Sequence, residues 1–492
     1  MSPSQSFLAI DLGAESGRAI IGTLENNKLR LTELHRFANG PVGLPDGLHW
    51  DVLHLWTQIK ESISLAVRQY GQSLASLGLD TWGVDFALLD RQGNLLSNPH
   101  HYRDSRTDGM MAEAFRHMPR QQIFEFTGIQ FMQINTLYQL LALVTTRAPV
   151  LEAAETFLTI PDLFNYWLTG QKVCEFSNAT TTQCYDPRQC DWAWPVLDAL
   201  NIPRRIFPPV VQPGAILGSL QPALAVETGA AGLPVIAPAC HDTGSAVAAV
   251  PASAPRFAWI SSGTWSIMGT EAPEPVINPE SERRNFTNEG GVAGTYRFSK
   301  NILGLWLLQE CRRAWAAAGQ EFSYSDLTEM AALAAPLVTI IDPDDDGFLR
   351  PGDMPERIRA FCRRTQQPVP ENIGAVVRCI LESIALKYRW VLDNLEELAG
   401  CCMEPIHIIG GGTKNQLLNQ FTADATGRRV VAGPVEATAT GNILVQAIAT
   451  GQIASLQEAR AIVQNSFTPL VYEPSGAPGW EDAYVRLKTL FA

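Results

Sequence analysis

Residues 234–250 carry the side chains with the clearest chemical potential in this sequence. The segment reads P-V-I-A-P-A-C-H-D-T-G-S-A-V-A-A-V. Its apolar start is typical of a buried strand, and the small residues after Gly244 are typical of a helix. Asp242 therefore lies at a strand-to-helix junction, where open α/β sheets bind their ligands. A carboxylate there could accept the proton of a reacting hydroxyl, or it could simply cap the helix by accepting backbone N–H groups.

A second segment, residues 77–90, places two carboxylates and an indole in an otherwise apolar run, L-G-L-D-T-W-G-V-D-F-A-L-L-D. We predict a strand here, a turn at residues 91–94 and a return strand beginning at Leu95. Because a buried charge is costly unless it is paired or used, Asp80 and Asp85 are expected to bind sugar hydroxyls beside Trp82. Gly83 would let the sugar approach the backbone. The alternative is a structural Trp flanked by surface Asp residues.

Two strand–turn–strand patterns offer backbone N–H groups to an anion. The first spans residues 7–24 around the turn D-L-G-A-E-S-G-R, and the second spans residues 257–270 around S-S-G-T. Such turns can bind phosphate oxygens, although neither matches G-x-x-x-x-G-K-[ST] or G-x-G-x-x-G. For the first pattern, an ordinary hairpin turn is the alternative. The likeness of the two patterns indicates two halves of similar design.

The elements that would position these residues are legible in several places. Apolar residues at helical spacing predict a helix over residues 51–70. Residues 300–309 are interpreted as the start of another helix, with Asn301 near its cap and Gln309 about two turns on. A strand at residues 405–409 ends in G-G-G-T-K-N, where three glycines would let a flat ligand approach the backbone. A helix, a strand at 428–431 and a helix to about residue 450 complete an α/β unit.

Composition narrows the class of protein. A chain of 492 residues is too long for one hydrophobic core, so we expect at least two domains. The net charge of −13 argues against binding to nucleic acid or to anionic membranes. The nine cysteines contain no C-x-x-C, which argues against a zinc site or a disulfide framework. Residues 1–6 lack the features of a signal peptide, and no window of about twenty residues is apolar enough to span a bilayer. We therefore expect a soluble, cytoplasmic protein with reduced thiols.

Taken together, the motifs resemble the FGGY family of carbohydrate kinases over residues 7–451, nearly the whole chain. The family-level motifs are D-L-G-A-E-S-G-R, C-H-D-T-G-S-A-V, S-S-G-T-W-S and G-G-G-T-K-N. Six others resemble the members of the family that act on L-rhamnulose: D-T-W-G-V-D-F, Y-R-D-S-R-T, N-T-L-Y-Q-L, N-E-G-G, K-N-I-L-G-L-W-L-L-Q and A-G-P-V-E-A. The order and spacing of these motifs carry the resemblance, because no single motif is decisive.

The resemblance implies an α/β protein in which two actin-like (ribonuclease H-like) ATPase domains flank a central cleft. Residues 1–250 would bind mainly the sugar, residues 251–470 mainly ATP, and residues 471–492 would form a C-terminal tail segment. The implied activity is ATP- and Mg²⁺-dependent phosphorylation of the 1-hydroxyl of L-rhamnulose, in L-rhamnose catabolism. The implied partner is a small-molecule ketose, with no nucleic acid and no membrane, and the oligomeric state stays open.

The resemblance also assigns residues. Asp242 matches the catalytic base, and Asp11 matches the residue near Mg²⁺. The nucleotide-side positions are Ala14, Glu15, Ser16, Gly17, Arg18, Thr264, Gln309 and Gly411. The sugar-side positions are Gly83, His241, Thr243 and Asn301. Many relatives have Thr or Ser where this chain has Ala14, and Glu15 beside a triphosphate would be repulsive unless Arg18 or Mg²⁺ offsets its charge.

Two alternatives to L-rhamnulose phosphorylation stay open. The first is another FGGY kinase, acting on L-fuculose, a pentulose or a linear diketone. The second is a nucleotide-binding relative of the same fold without sugar turnover. The presence of Asp242 and the lack of an added peptide-binding domain disfavour this second alternative, although fold alone does not decide function.

Overall fold

The computed structural model describes residues 5–254 and 256–491. Residues 1–4, which belong to the stretch predicted to lack signal-peptide features, lie outside the described residues. So does Pro255, close to the predicted domain boundary at residues 250–251. The described chain divides into two compact units. The first contains the residues up to Pro251 together with Glu271–Phe298 and Ala437–Ser466, and the second contains Ala252–Thr270, Ser299–Glu436 and the residues from Phe467 onward. The chain therefore returns twice to its first unit.

The first unit is built on a six-stranded sheet. Its strands lie in the order Ala215–Ser219, Pro234–Ala237, Leu74–Thr81, Gln5–Leu12, Ser16–Glu25 and Lys28–Ala38. The last three form an antiparallel meander, and Gln5–Leu12, Leu74–Thr81 and Pro234–Ala237 are parallel neighbours. The predicted hairpin around residues 11–18 is thus confirmed, and the sheet has three adjacent carboxyl ends at one edge.

A second sheet repeats this design. Its strands lie in the order Thr287–Gly290, Tyr296–Leu303, Trp265–Ala272, Ala258–Ser262, Ile406–Ile409, Val430–Ala432 and Leu470–Tyr472. Ala258–Ser262 forms an antiparallel hairpin with Trp265–Ala272 and a parallel pair with Ile406–Ile409, which is in turn parallel to Val430–Ala432. The second predicted hairpin is confirmed, and so is the predicted likeness of the two halves.

Helices cover these sheets. Those of the first unit are Val52–Tyr70, Met110–His117, Arg120–Thr127, Thr136–Thr145, Pro149–Ala153, Ile160–Thr169, Phe176–Thr181, Trp194–Ala199, Pro222–Thr228, Asp242–Ala248, Pro279–Arg283, Ala437–Ala449 and Leu456–Ser466. Those of the second are Trp306–Ala317, Tyr324–Leu333, Met354–Arg364, Ile373–Ala399, Gln416–Thr426 and Trp480–Thr489. Within the described ranges, no helix combines the length and the apolar character needed to cross a bilayer.

The helix Val52–Tyr70 forms where its periodicity predicts it. Asp51 caps its start, because the backbone N–H of His54 donates to Asp51 Oδ1 at 3.0 Å. Its apolar stripe, which includes Leu55, Ile59 and Ile63, belongs to the same buried core as the central strands. Burial of that stripe, worth about 1.5–3 kcal/mol for each fully buried large side chain, fixes the helix on the sheet.

The helix Ala437–Ala449 packs so closely on the first unit that only glycines fit at three contacts. A Cβ added to Gly22 would lie 2.6 Å from Ile443, and one added to Gly78 would lie 2.6 Å from Asn442 Oδ1. A Cβ on Gly441 would collide with the carbonyl oxygen of Ser245, on the neighbouring helix Asp242–Ala248. The same helix supplies polar side chains to the buried ends of the central strands.

Two predicted elements are wrong in detail. The predicted strand over residues 77–90 stops at Thr81, and Phe86–Leu89 pairs instead with Thr156–Thr159 outside the six-stranded sheet. The return strand at Leu95 is reduced to an isolated bridge with Leu89. Between the two strands Val84 has a φ of 69°, a left-handed conformation that a β-branched residue adopts only under constraint.

The second wrong element is the helix predicted to begin near Asn301. Asn301 lies within the strand Tyr296–Leu303, and the helix begins at Trp306. Sheet pairing explains the difference, because this run, which is buried apart from Asn301, serves as an inner strand of the seven-stranded sheet. Its local pattern does not distinguish a buried strand from a buried helix.

Candidate functional site

The candidate site lies at the carboxyl ends of the parallel strands of the first unit. Asp11 pairs in register with Asp80 on one side and with Arg18 on the other, so three charged residues form a row across adjacent strands. One residue further on, Thr81 bridges to His241, and the N–H of Thr81 donates to the carbonyl of Cys240 at 2.9 Å. The sheet therefore brings Asp11 and the 240–242 segment together, as the position of Asp242 after a strand predicts.

Asp242 is the first residue of the helix Asp242–Ala248, and His241 occupies the N-cap position. One oxygen of Asp242 makes local contacts, because Oδ1 accepts from the backbone N–H of Thr243 at 2.6 Å and from its hydroxyl at 3.2 Å. The side chain is 33% exposed, and Oδ2 forms no hydrogen bond with any described residue. Burial raises the pKa of Asp242, and the charge of Asp11 adds to that rise against the effect of His241. The two oxygens of Asp242 thus differ, because Oδ1 is engaged by Thr243 and Oδ2 is not.

The backbone that carries Asp242 is anchored from below by Glu175. This buried carboxylate accepts from the N–H groups of Cys240 at 2.9 Å and of Ser177 at 2.9 Å, and from the Ser177 hydroxyl at 2.6 Å. The Ser177 hydroxyl oxygen in turn accepts from the N–H of His241 at 3.1 Å. Burial raises the pKa of Glu175 to about 7. The strand-to-helix junction is therefore held on both of its peptide N–H groups.

His241 contacts two buried charged residues that the sequence reasoning did not single out. Its Nδ1 lies 3.3 Å from Glu289 Oε2 and 3.0 Å from Arg297 Nη2, and its Nε2 lies 3.4 Å from Asp242 Oδ1. Glu289 belongs to the N-E-G-G motif, which was noted only as a resemblance. The sequence offered no local signal for it, because the strand Thr287–Gly290 is buried throughout although its residues, T-N-E-G, are mostly polar.

The first predicted phosphate turn is closed by its own backbone. The N–H of Gly13 donates to the carbonyl of Ser16 at 3.0 Å, and Asn39 Nδ2 donates to the carbonyl of Gly13 at 2.7 Å. Glu15 is exposed at the tip, and Ala14 precedes it. A Cβ on Gly17 would collide with the ring of Phe37, so this glycine is required by packing.

Arg18 and Asp11 form an ion pair beneath this turn. The guanidinium of Arg18 thus pairs with a carboxylate on the neighbouring strand. Asp11 is buried, and its negative charge raises the pKa of both Asp80 and Asp242. The concentration of carboxylates at this edge favours a bound cation.

The prediction that Asp80 and Asp85 bind sugar hydroxyls is wrong, because both carboxylates are buried inside the protein. Asp85 is 1% exposed and accepts from the indoles of Trp50 and Trp82, at 2.5 and 3.0 Å, and from Gln139 at 3.0 Å. Burial raises its pKa to about 6. Asp80 is 0% exposed and accepts from Asn442 at 2.5 Å. Asp85 thus anchors the 82–85 loop from inside the protein, and Asp80 lies within the strand Leu74–Thr81 with its Oδ1 unpaired among the described residues.

The remaining predicted sugar-side residues of the first unit lie around these anchors. A Cβ on Gly83 would lie 3.1–3.2 Å from the side chain of Thr181, so this glycine makes room for protein as well as for any ligand. The next residue, Val84, is held by its N–H on the Thr181 hydroxyl at 3.1 Å and by its carbonyl on the Thr136 hydroxyl at 2.5 Å. Thr243 is buried, and its hydroxyl contacts Asp242.

The second unit brings together three of the four site residues predicted to lie in it. The carbonyl of Thr264 accepts from the N–H of Trp306 at 3.0 Å, which sets the 261–264 turn against the start of the helix that carries Gln309. A Cβ on Gly412 would collide with Ser262 Oγ, so the glycine turn after Ile406–Ile409, which contains Gly411, reaches the same turn. Asn301, the fourth, lies on the strand Tyr296–Leu303.

Polar atoms in this cluster fit a nucleotide. Ser262 Oγ and Gln309 Oε1 are buried and have no hydrogen-bond partner within the described part of the chain. Unpaired buried polar atoms are costly unless a ligand or water satisfies them. The glycine turn at residues 410–412, where Gly410 has a φ of 85°, leaves its backbone open to a flat base.

The next question is whether protein side chains alone could hold a metal ion. Across residues 5–254 and 256–491, no group of three or more His, Cys, Asp or Glu side chains is arranged to hold a metal ion. Mg²⁺, however, is commonly held by one or two carboxylates with water and substrate phosphates supplying the rest. Asp11, in its carboxylate-rich surroundings, fits that partial kind of site.

Each half of the chain matches a family model. A family model described as the FGGY family of carbohydrate kinases, N-terminal domain, matches residues 6–249, and the corresponding C-terminal domain model matches residues 258–450. A rhamnulokinase of Bacteroides thetaiotaomicron is 45% identical over 98% of this chain and 99% of its own length. A rhamnulokinase of Bacillus subtilis is 38% identical over 95% of each chain.

Solved structures agree on the fold. A gluconate kinase from Lactobacillus acidophilus aligns with a TM-score of 0.80 at 17% identity, covering 99% of this chain and 96% of its own. A xylulose kinase from Rhodospirillum rubrum aligns with a TM-score of 0.80 at 19% identity, covering 99% and 98%. At such low identity these likenesses establish the architecture alone, which is the actin-like ATPase fold that the sequence predicts.

Proposed function

The chain belongs to the FGGY family of carbohydrate kinases, and on that premise we propose that it transfers the γ-phosphoryl group of ATP to the 1-hydroxyl of L-rhamnulose. The products would be ADP and L-rhamnulose 1-phosphate. The observation that carries this proposal is the 38–45% identity to rhamnulokinases over nearly the whole chain. Sequence identity of this extent is a stronger argument for the substrate than the fold is, because one fold supports many functions.

Asp242 is the proposed general base. Its Oδ2 is the accessible, unbonded oxygen of a carboxylate that Glu175 and Ser177 hold in place through the backbone. Phosphoryl transfer requires alignment and charge stabilisation more than covalent work by the protein. As the ketose hydroxyl attacks phosphorus, its proton would pass to Asp242, whose raised pKa brings it closer to the working pH of a base.

Asp11 is the residue we propose to hold Mg²⁺, together with the phosphates of ATP. When bound, the ion would neutralise charge that develops on the transferred group. Backbone N–H groups of the 13–17 turn, with Ala14, Glu15, Ser16, Gly17 and Arg18, would face the phosphates. On the second unit, Thr264, Gln309 and Gly411 would bind the nucleotide, supported by the unpaired atoms of Ser262 and Gln309.

On the sugar side we propose Gly83, His241, Thr243 and Asn301. The ketose would contact the 82–85 loop through its backbone, because the Asp80 and Asp85 carboxylates are buried. We also propose that the protein works in the cytoplasm. The supporting observations are its use of ATP and its nine cysteines, all of them free thiols.

The test is ADP release measured with a panel of acceptors: L-rhamnulose, L-fuculose, D-xylulose and glycerol. We expect kcat/KM for L-rhamnulose to exceed that for D-xylulose and glycerol by roughly tenfold or more, because a site built for particular hydroxyls rejects analogues that leave its polar groups unpaired. ATP hydrolysis without a sugar is the blank. A better rate with another acceptor would overturn the L-rhamnulose assignment and leave the kinase class standing.

A further inference from the structure

Behind the proposed base lies a buried group of charged side chains that the mechanism above does not use. Arg297 is 0% exposed, and its Nη2 lies 3.1 Å from Glu289 Oε2 and 3.0 Å from His241 Nδ1. Its Nε donates to the carbonyl of Gly290 at 2.9 Å, which fixes the plane of the guanidinium. Buried ion pairs of this kind are costly to assemble, so their retention beside a reactive group suggests a task beyond stability.

Two groups face Nδ1 of His241: Arg297 Nη2 forms a hydrogen bond with it at 3.0 Å, whereas Glu289 Oε2, 3.3 Å away, has no hydrogen-bond partner among the described residues. An arginine guanidinium has only donors, so Arg297 Nη2 donates to His241 Nδ1, which must present its lone pair. The ring proton of the neutral imidazole then lies on Nε2, the nitrogen 3.4 Å from Asp242 Oδ1. The opposite tautomer would set two N–H groups against each other at Nδ1 and a lone pair against a carboxylate at Nε2.

Glu289 maintains this arrangement by balancing the charge. Although burial would raise the pKa of Glu289, the charge of Arg297 is the largest effect that holds it below its ordinary value, so the side chain is ionised beside the guanidinium. Burial lowers the pKa of Arg297, and the charges of Glu289, Asp242, Glu175 and Glu271 oppose that effect. The peptide next to Glu289 is anchored as well, because the N–H of Gly290 donates to the Thr180 hydroxyl at 2.8 Å.

We propose that Arg297 and Glu289 are positioning residues that act through His241, a role that rests on the proposed kinase activity. They hold the imidazole as the neutral Nε2–H tautomer, and this N–H orients the carboxylate through Asp242 Oδ1. Oδ2 is then the oxygen that faces the attacking ketose hydroxyl. In the transfer the hydroxyl O–H bond breaks, its proton moves to Oδ2, the oxygen–phosphorus bond forms and ADP leaves, while His241 keeps its own proton.

The kinetic test is Arg297→Lys, which keeps the charge but cannot span Gly290, Glu289 and His241 with one planar group. We expect kcat for the preferred ketose to fall about tenfold to a hundredfold, the size of effect seen when an outer partner of a ligating histidine is lost. KM for the ketose should change less than about threefold, because ground-state binding is retained. Arg283→Lys is the matched control, since Arg283 pairs with Glu280 at the surface and should give wild-type rates.

A double-mutant cycle separates this role from general destabilisation. If Arg297 acts through His241, adding Arg297→Lys to His241→Ala should lower kcat by less than about twofold further. Additive losses in kcat would overturn the proposal. Should Arg297→Lys fail to fold, Glu289→Gln replaces it in the same cycle, because it preserves shape while removing the counter-charge.

A spectroscopic readout needs no turnover and so remains informative if the substrate proposal fails. In protein labelled with ¹⁵N-histidine, the His241 ring, assigned by its absence from His241→Ala, should give the signature of a neutral ring protonated at Nε2. Arg297→Lys should shift that signature, whereas Arg283→Lys should not. A ring protonated at Nδ1 alone, or an imidazolium at the assay pH, would contradict the proposal. Failure to phosphorylate any ketose, with the Nε2–H signature intact, would instead count against the proposed function.

Discussion

At the scale of single residues, burial separates the carboxylates at the edge of the first sheet by task. Asp80 has no exposed surface, and burial followed by the charge of Asp11 raises its pKa well above the ordinary value. Asp242 is one-third exposed and keeps one oxygen unbonded. Only Asp242 combines accessibility with a raised pKa, which is what a general base near neutral pH requires.

Replacing Asp242 should therefore abolish turnover without abolishing nucleotide binding. We expect Asp242→Asn to lower kcat by at least about a hundredfold, the usual scale for a general base, while ATP still raises the melting temperature. In the wild type, kcat/KM should fall as the pH drops, because the raised pKa of Asp242 leaves more of it protonated and unable to accept a proton. Near-normal rates in a folded Asp242→Asn variant would return Asp242 to a capping role, and Asp198→Asn, at an exposed ion pair, serves as control.

A second residue-scale prediction concerns Asp162, a buried carboxyl in contact with the Thr159 hydroxyl and with the N–H of Glu175 at 3.1 Å. Burial raises its pKa to about 8, and the charge of Glu175 adds to the rise. An unfolded aspartate titrates near 3.9. The folded protein thus binds a proton that the unfolded chain lacks between about pH 4 and pH 8, so its stabilising contribution is complete below pH 4 and lost as the pH rises to about 8.

We expect the free energy of unfolding of the wild type to fall between pH 5 and pH 8 by at least about 1 kcal/mol more than that of Asp162→Asn, whose amide does not titrate. Urea unfolding at each pH measures the difference. Asp482→Asn, at an exposed position in the last helix, should keep the wild-type slope. Parallel pH dependences for wild type and Asp162→Asn would mean that Asp162 is ionised when folded.

The sequence placed Asp242 correctly at a strand-to-helix junction because the signals for both elements are local: a strand before it, small helical residues after it. It could not identify Glu289 or Arg297 as neighbours of His241, since that contact depends on how strands 50 residues further along the chain are placed. It also misjudged Asp80 and Asp85. Unusual buried charges do indicate a special task, but the sequence does not reveal whether a ligand or an indole supplies the donor.

At the scale of elements, close packing by glycine decides which helix covers the first sheet. A Cβ on Gly22, Gly78 or Gly441 would collide with Ile443, Asn442 or the Ser245 carbonyl, respectively. The helix Ala437–Ala449 itself is predictable from its small and apolar residues. Its partner is not, because the strands it covers lie more than 350 residues earlier and the intervening chain reads as an independent α/β unit.

Gly441→Ala should consequently be among the more damaging single methyl additions in the protein. The added Cβ has no room against the carbonyl of Ser245, so the helices Asp242–Ala248 and Ala437–Ala449 must separate. We expect a loss of about 1–3 kcal/mol, the range for overpacking, visible as a lower melting temperature.

Gly43→Ala is the matched control for this prediction, since a Cβ there meets nothing within 4 Å. Because Asp242 begins one of the two helices, kcat should fall together with stability in Gly441→Ala. An unchanged melting temperature would show that the two helices can separate freely.

Element boundaries failed where tertiary constraints override local pattern. The break at Val84 is imposed by hydrogen bonds from Thr136 and to Thr181, which no periodicity in residues 77–90 reveals. The strand at Asn301 fails for the complementary reason, because sheet pairing stabilises an apolar run that equally suits a helix. By contrast, the two hairpins and the helix Val52–Tyr70 are set by short-range signals and were predicted correctly.

At the scale of the whole molecule, two sheets of like design accompany two family-model matches that make this chain a member of the FGGY family of carbohydrate kinases. Ligands that bind only the folded protein stabilise it by mass action. We expect Mg²⁺ with ATP to raise the melting temperature, and ketose added with nucleotide to raise it further, because both ligands favour the same bound state. At a ligand concentration near 100 Kd, each ligand should raise the free energy of unfolding by about 2.7 kcal/mol.

The same measurement discriminates between ligands. L-rhamnulose should stabilise more than D-xylulose at equal concentration, and Asp242→Asn should retain the nucleotide effect. A melting temperature that does not change with millimolar nucleotide would contradict the proposed use of ATP.

The polar network on the central strands also sets a schedule for biosynthesis. Ser76 donates to Gln446, 370 positions later, and Asn442 donates to Asp80, 362 positions earlier. At ribosomal speeds of about 5–20 residues per second, roughly 20–70 s separate the emergence of the two partners. During that interval the strands that open the chain wait, with Gly22 and Gly78 uncovered, for the helix Ala437–Ala449. We therefore expect each nascent polypeptide to leave these strands uncovered until residue 446 has left the exit tunnel.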